Sequence, residues 1–312
     1  MKSNELLSKT RFSIITPTYN RKDLLKRLFL SIASINYDYE FFEWIIVDDG
    51  SNDETERFIE EEALGKKIDI KYFKKENGGK HTALNIALEN VDSNSDLLFI
   101  VDSDDLIPSD ALCKVDEIWR KIGSNYKVSG VIGRCSHLNG KMIGDEFFNA
   151  PFYSTITKNN LKNGYKGDKA DFIRVSYIKN LRLPIIDGCK FIPESIITYE
   201  LDKEYEYYCC NEILKVVEYQ PCGITNNFNK LAIANSSGYY LKFKHLMSKE
   251  LWVQMSGLSK LKVCTNYFRY LMHSKKIKLT SFTYSVSCVG LMFSLISFFL
   301  GLFVFLYDLI RK

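Results

Sequence analysis

Three aspartates, Asp102, Asp104 and Asp105, fall within four positions of the stretch FIVDSDDLIP, directly behind the apolar run Leu97 to Val101. Like charges at that spacing repel, and burying them unpaired costs several kcal/mol or more. Something positive therefore belongs beside them. An extended chain sends Asp102 and Asp104 to one side and Ser103 to the other. Paired carboxylates are hard oxygen ligands, suited to Mg²⁺ or Mn²⁺ rather than zinc. Mg²⁺ is usually held by one or two carboxylates together with substrate phosphates, so a phosphate-bearing substrate follows. The competing reading is plainer: Ser103 to Asp105 caps a helix after Pro108, and the acids are solvated.

The elements needed to position these acids can be read on both sides of them. Phe12 to Thr16, Phe42 to Val47, Ile68 to Phe73 and Leu97 to Val101 are short apolar runs of strand type. Between them, Arg21 to Ile35 carries apolar residues at helical period. Ser51 and Glu54 form a capping box opening a helix over Asp53 to Ala63, and Thr82 to Glu89 is a short helix. Strand alternating with helix predicts a mostly parallel sheet flanked by helices, with ligands at the carboxyl ends of the strands. Three polar clusters stand at such ends: TPTYN, DDGS and DSDD, with NGGKHTALN between the last two. After Ile122 the pattern becomes irregular. A hairpin is expected at Asn139-Gly140, helices near Ala170 to Lys179 and Pro193 to Leu201, and a hairpin across Glu206 to Tyr219.

Charge and hydropathy divide the 312 residues unevenly. Residues 1 to 241 hold 31 basic and 36 acidic residues, which argues against a large nucleic-acid face. Lys242 to Lys278 holds nine basic residues against one acid, Glu250. Leu279 to Tyr307 follows with no charge at all, longer than the roughly 20 apolar residues that cross a hydrocarbon core. The basic excess before it places the preceding domain on the cytoplasmic side. Met1 to Arg11 is polar, so no signal peptide is expected. Eight cysteines without a CxxC pair or metal-like spacing read as reduced thiols. Four divisions are expected: the strand–helix half over 1–110, the irregular half over 111–240, a basic helical region over 241–278, and a transmembrane or membrane-anchoring helix over 279–307.

SIITPTYNR, EWIIVDDGSNDET, GGKHTALNIAL and VDSDD, in that order, make Arg11 to Tyr219 resemble the inverting family 2 glycosyltransferases of the GT-A fold. GDKADFIRVSYIKNLRLP, GCKFIPES and EYQPCGIT are similar to bacterial sugar transferases of capsule and exopolysaccharide assembly. The resemblance implies a Rossmann-like sheet and a nucleotide-sugar donor, a UDP-sugar first of all, bound with Mg²⁺ or Mn²⁺. On it, Thr16, Pro17 and Tyr19 line the nucleotide site, and Asp49 bonds the base. Asp102 contacts the ribose and the metal, Asp104 is the direct metal ligand, and Ser103 belongs to the donor-binding set. Lys80, with Arg21 as a weaker candidate, neutralises the diphosphate, whereas His81 caps or packs.

An inverting displacement needs a base for the acceptor hydroxyl. The resemblance points to Glu194, with Asp187 as runner-up, although the adjacent Glu-Asp pair common in the family is absent here. Asp168 and Asp171 would shape the acceptor site. No QxxRW motif begins at Gln220 or Gln254, which favours transfer of one sugar over polymerisation. The expected acceptor is a lipid-linked saccharide at the cytoplasmic face of the plasma membrane. Transfer to polyprenyl phosphate, and a catalytically silent assembly partner, are the alternatives. A nucleotidyltransferase is disfavoured because no Gly-rich loop with Arg and Lys follows Phe12 to Thr16.

Overall fold

The computed structural model describes residues 9–63, 67–220, 228–276 and 279–311. Cys222, Lys278 and the end of EYQPCGIT lie outside them. The chain divides into two compact units. The first takes the chain up to Ser154, then Lys166–Arg182 and Tyr205–Gln220; the second takes Thr155–Tyr165, Leu183–Glu204 and the described residues beyond Gln220.

Among the described residues, unit one is an α/β sheet of nine strands: β1 (Phe12–Thr18), β2 (Phe42–Asp48), β3 (Asp69–Lys74), β4 (Leu97–Ile100), β5 (Val128–Ser136), β6 (Met142–Ile143), β7 (Phe152–Ser154), β8 (Lys169–Arg174) and β9 (Glu206–Val216). Their order is β3-β2-β1-β4-β8-β5-β9-β7, with β6 paired to β5. The first four strands run parallel, as expected from alternating strands and helices. β1 and β2 are buried along their whole length, which is why they read as unbroken apolar runs rather than as alternating ones. Helices Lys22–Ala33, Lys80–Asn90 and Ala111–Ile122 supply the crossovers and the cover. Phe29 stacks on Trp44 at 6.2 Å, and Phe99 on Phe172 at 4.0 Å.

Three local expectations give way. No side chain caps the helix after DDGS: Glu54 takes a left-handed conformation (φ +63°), and a single turn, Thr55–Phe58, passes into a π-helix over Ile59–Ala63. Ser51 instead accepts the Asn20 amide, and Asp53 accepts both the amide and the hydroxyl of Thr55. Ala170 to Lys179 is not a helix. Its first part is β8, antiparallel between β4 and β5, and only Val175–Ile178 is helical. Ala170, Phe172 and Ile173 sink into the sheet there, and those non-local contacts override the local pattern. Glu206 to Tyr219 is not a hairpin: Glu206–Val216 is one long strand, β9, parallel to β5 with register shifts. The turn at Asn139-Gly140 does join an antiparallel pair, β5 and β6, with Gly140 at φ +79°.

Unit two is helical: Ile156–Leu161, Ser195–Leu201, Phe228–Ala234, Ser236–Leu246, Lys249–Trp252, Gly257–His273, Leu279–Val289 and Leu291–Ile310. Leu246, Leu251, Cys264, Tyr267, Phe268 and Leu271 form its core. The apolar run expected as one helix is broken at Gly290 (φ +86°) into two. The second, Leu291–Ile310, is long and apolar enough to cross a membrane.

Candidate active site

The acids after β4 form a turn rather than an extended segment, with the Asp105 amide donating to the Asp102 carbonyl at 3.0 Å. The turn fans the three carboxylates toward three different cations. Lys80 Nζ lies 2.7 Å from Asp102 Oδ1, Arg21 Nη1 lies 2.9 Å from Asp104 Oδ2, and Lys215 Nζ lies 3.2 Å from Asp105 Oδ2. This is what neutralises the strand end. Lys80 opens the helix Lys80–Asn90 and Arg21 directly precedes the helix Lys22–Ala33. Both cations thus stand at helix N-termini, where unpaired amides and the helix dipole already favour an anion.

The protein environment treats the three acids differently. Burial opposes the Asp102 charge, but Lys80, Lys215 and Arg21 outweigh it and hold the carboxyl below its usual range. Burial raises Asp104, with Arg21 opposing and Asp102 adding to the rise. Burial pushes Asp105 up to about 6 against the pull of Lys215. Lys215 itself is raised, because Asp105, Cys135 and Asp102 together overcome its own burial.

Asp49 ties the end of β2 to the NGG loop. Oδ1 accepts from Lys75 Nζ (2.6 Å) and the Gly78 amide (2.9 Å); Oδ2 accepts from Asn77 Nδ2 (3.1 Å) and the Gly79 amide (2.8 Å). A carboxylate has about four lone-pair sites, and these four donors fill them. Gly50 (φ +86°) lets the turn pass within 3.0 Å of the Asn77 amide nitrogen and the Lys75 carbonyl, measured from where a Cβ would sit. Asp48, beside it, is structural: it accepts from the Ser51 amide (2.7 Å) and the Tyr72 hydroxyl (2.8 Å).

Of the other expected site residues, Tyr19 is exposed and free to meet a ligand, whereas Pro17 and Ser103 are buried. Thr16 is fully enclosed, and its hydroxyl accepts from Trp44 Nε1 at 3.0 Å. His81 is buried, and that burial lowers its pKa. Asp168 accepts from the Tyr219 hydroxyl at 2.8 Å. Glu194 and Asp187 belong to unit two. Glu194 precedes the helix Ser195–Leu201 without a side-chain cap bond, and Asp187 is exposed.

Lys75 and Lys215 were not read from the sequence as site residues. The signal for Lys215 was present: a lone lysine inside the strand-forming run ILKVV needs a buried partner. Its partner is more than a hundred positions away, so no local spacing names it.

The family model for glycosyl transferase family 2 matches residues 13–177, more than half of the chain. The chain belongs to glycosyl transferase family 2. It is 30% identical over 128 residues to the poly(ribitol-phosphate) beta-N-acetylglucosaminyltransferase TarS of Staphylococcus aureus, covering 40% of this chain and 22% of TarS. The matched stretch is thus less than a quarter of that relative. The likeness to the GalNAc(5)-diNAcBac-PP-undecaprenol beta-1,3-glucosyltransferase of Campylobacter jejuni is 25% over 277 residues, covering 86% and 83%. The fold matches the crystal structure of TarS 1-349 in complex with UDP-GlcNAc (TM-score 0.57, 17% identity, 90% of this chain and 80% of that one). It also matches the mannosyltransferase PcManGT from Pyrobaculum calidifontis in complex with GDP-Man and Mn²⁺ (TM-score 0.54, 16% identity, 93% and 79%). These structural matches establish the GT-A-like fold of the chain.

Proposed function

We propose that the chain is a metal-dependent inverting transferase of cell-surface polysaccharide synthesis. It would move one sugar from a nucleotide sugar, first of all a UDP-sugar, to a lipid-linked saccharide at the cytoplasmic face of the membrane. The observation that carries this is the pairing of Asp102 with Lys80 and of Asp104 with Arg21 at the carboxyl end of a parallel sheet. Two acids and two cations at one place suit a ligand that itself brings both charges, a diphosphate with its divalent cation.

Asp102 and Asp104 fit such a cation, being two hard oxygen donors on one turn. Among the described residues no group of three or more His, Cys, Asp or Glu forms a self-sufficient metal cage, and a Mg²⁺-type ion shared with phosphates does not need one. When bound, the cation would withdraw charge from the leaving diphosphate. Lys80 and Arg21 would then turn from the acids to the phosphate oxygens. The acceptor oxygen bonds to the anomeric carbon as the bond from that carbon to the diphosphate oxygen breaks. The acceptor proton passes to a carboxylate, assigned by resemblance to Glu194 with Asp187 second, and the electron pair leaves on the diphosphate. The acceptor class is supported by the Campylobacter relative, whose name gives a saccharide on undecaprenyl diphosphate as its acceptor.

A panel of nucleotide sugars tested for protection against thermal unfolding, with and without Mn²⁺, checks this reading. Protection by one donor that depends on the cation is expected, followed by slow hydrolysis of that donor without acceptor. Protection by none of them overturns it.

A further inference from the structure

Leu291–Ile310 is long enough to cross a bilayer, yet its neighbours within unit two run beside it for most of its length. Phe293 meets the Trp252 ring at 5.8 Å, and Phe298 meets Phe268 at 5.4 Å. A Cβ on Gly301 would lie 2.8 Å from both the Phe268 side chain and the Thr265 carbonyl. Phe305 packs on His273 at 4.7 Å. The contact closes on a forked ion pair: Arg269 Nε and Nη2 reach the two Asp308 oxygens at 2.6 and 2.8 Å, and His273 Nε2 lies 2.9 Å from Oδ2. Its contacts with Gly257–His273 therefore extend from Phe298 to Asp308, about 15 Å of axis at 1.5 Å per residue, with Trp252 beyond them at Phe293. Leu279–Val289 returns between their ends and is bound to both, through Cys264 Sγ to Ser285 at 3.5 Å and Ser285 to Ser294 at 2.8 Å.

This arrangement is costly in a spanning orientation. If Leu291–Ile310 stood across the bilayer, Gly257–His273 would be carried into the hydrocarbon beside it, with Lys260, Lys262 and Asn266 on its surface. Each cation at that depth costs at least about 2.5 kcal/mol. The face turned away from this helix is of another kind. Met292, Ile296, Phe299, Phe303, Leu306 and Ile310 repeat at steps of four and three residues and are 49–83% exposed. They form one uncovered apolar stripe along the helix. At the end of the stripe that bears Asp308, Lys275, Lys276 and Arg311 are exposed, and the Arg311 guanidinium sits 4.7 Å from the Tyr307 ring. An apolar face closed by cations complements an anionic lipid surface.

We propose that Leu291–Ile310 lies in the plane of one leaflet, its stripe sunk to the acyl boundary, and that it does not cross the membrane. The inference rests on the membrane-associated acceptor of the proposed function only for its purpose, not for its geometry.

Full-length Ser287→Cys and Arg311→Cys variants, both positions exposed and off the stripe, expressed in cells and tested in sealed cytoplasmic-side-out membrane vesicles, place the two helix ends. An impermeant maleimide should label both from the same side, each above the wild-type background, without detergent. Labelling of one only until detergent is added means the helix crosses, and overturns the proposal. Phe299→Glu with Phe303→Glu should leave the melting temperature unchanged and abolish flotation with phosphatidylglycerol vesicles. A wild-type chain that stays in the aqueous phase, as a monomer or as a dimer burying the stripe, also overturns it. Labelling does not depend on turnover: a chain seated in the leaflet that protects or hydrolyses no nucleotide sugar would refute the proposed function and leave the seat standing.

Discussion

Lys215, on β9, holds its ammonium 3.2 Å from the Asp105 carboxylate, and both side chains are largely buried beside the turn that presents Asp102 and Asp104. The Asp105 carboxyl is raised to about 6, chiefly by burial, from an unfolded value of about 3.9. A carboxyl raised on folding contributes stability that is complete below the unfolded pKa and is lost as pH rises through the folded one. The stability of the wild type relative to Asp105→Asn should therefore fall by roughly 2 kcal/mol between pH 4 and pH 7, and then level off. Urea denaturation of both proteins across that range measures it. A constant difference would mean that Lys215 fully offsets the burial.

The pairs Lys80–Asp102 and Arg21–Asp104 predict linked binding of cation and diphosphate. Without nucleotide, Mn²⁺ must displace two cations and should bind weakly. A nucleoside diphosphate, by engaging Lys80 and Arg21, should strengthen Mn²⁺ binding at least about tenfold, and Mn²⁺ should do the same for the nucleotide. Lys80→Met should tighten Mn²⁺ binding alone and weaken the diphosphate. Titration calorimetry decides; equal Mn²⁺ affinity with and without nucleotide would refute the exchange.

Asp104→Ala should lower transfer at least about 100-fold, the scale of losing a charge-stabilising group. It should not lower the melting temperature, because burial already disfavours the Asp104 charge. Undiminished turnover with Mn²⁺ supplied would remove Asp104 from the chemistry.

Glu194→Gln should keep nucleoside diphosphate affinity and reduce transfer about 100-fold or more, as loss of a general base does. Calorimetry and single-turnover rates separate the two effects. If Glu194→Gln turns over normally while Asp187→Asn does not, the base is Asp187.

Asp49→Asn replaces one acceptor oxygen with a donor and strands at least one of the Gly78 and Gly79 amides. A lost buried acceptor costs about 1–3 kcal/mol, and amide exchange at those glycines should accelerate. Unchanged exchange would show that the loop is held by other contacts.

The four parallel strands and the acids at their ends were legible because each is a local pattern: an apolar run, then a polar cluster. β8 and β9 were not. Residues 170–174 become a strand only because β4 and β5 leave room between them, a fact distributed over residues 97 to 136. The capping box failed for a different reason, since Asp53 competed for the same turn at shorter range. Arg21 and Lys80 were visible as cations near the site. Lys215 depended on the register shifts between β5 and β9, which no spacing in the sequence records.

The insertion of β8 between β4 and β5 also bears on how the chain is made. β4 has β1 on one side as soon as residue 100 is available, but its other edge waits for residues 169–174. The chain leaves for unit two at Thr155 and returns only at Lys166. Until then a ribosome-bound chain carries an unpaired, wholly apolar strand edge, Leu97–Ile100, of the kind that recruits other chains. A chain ending before Lys169 should therefore aggregate during synthesis, even though all four parallel strands are present in it.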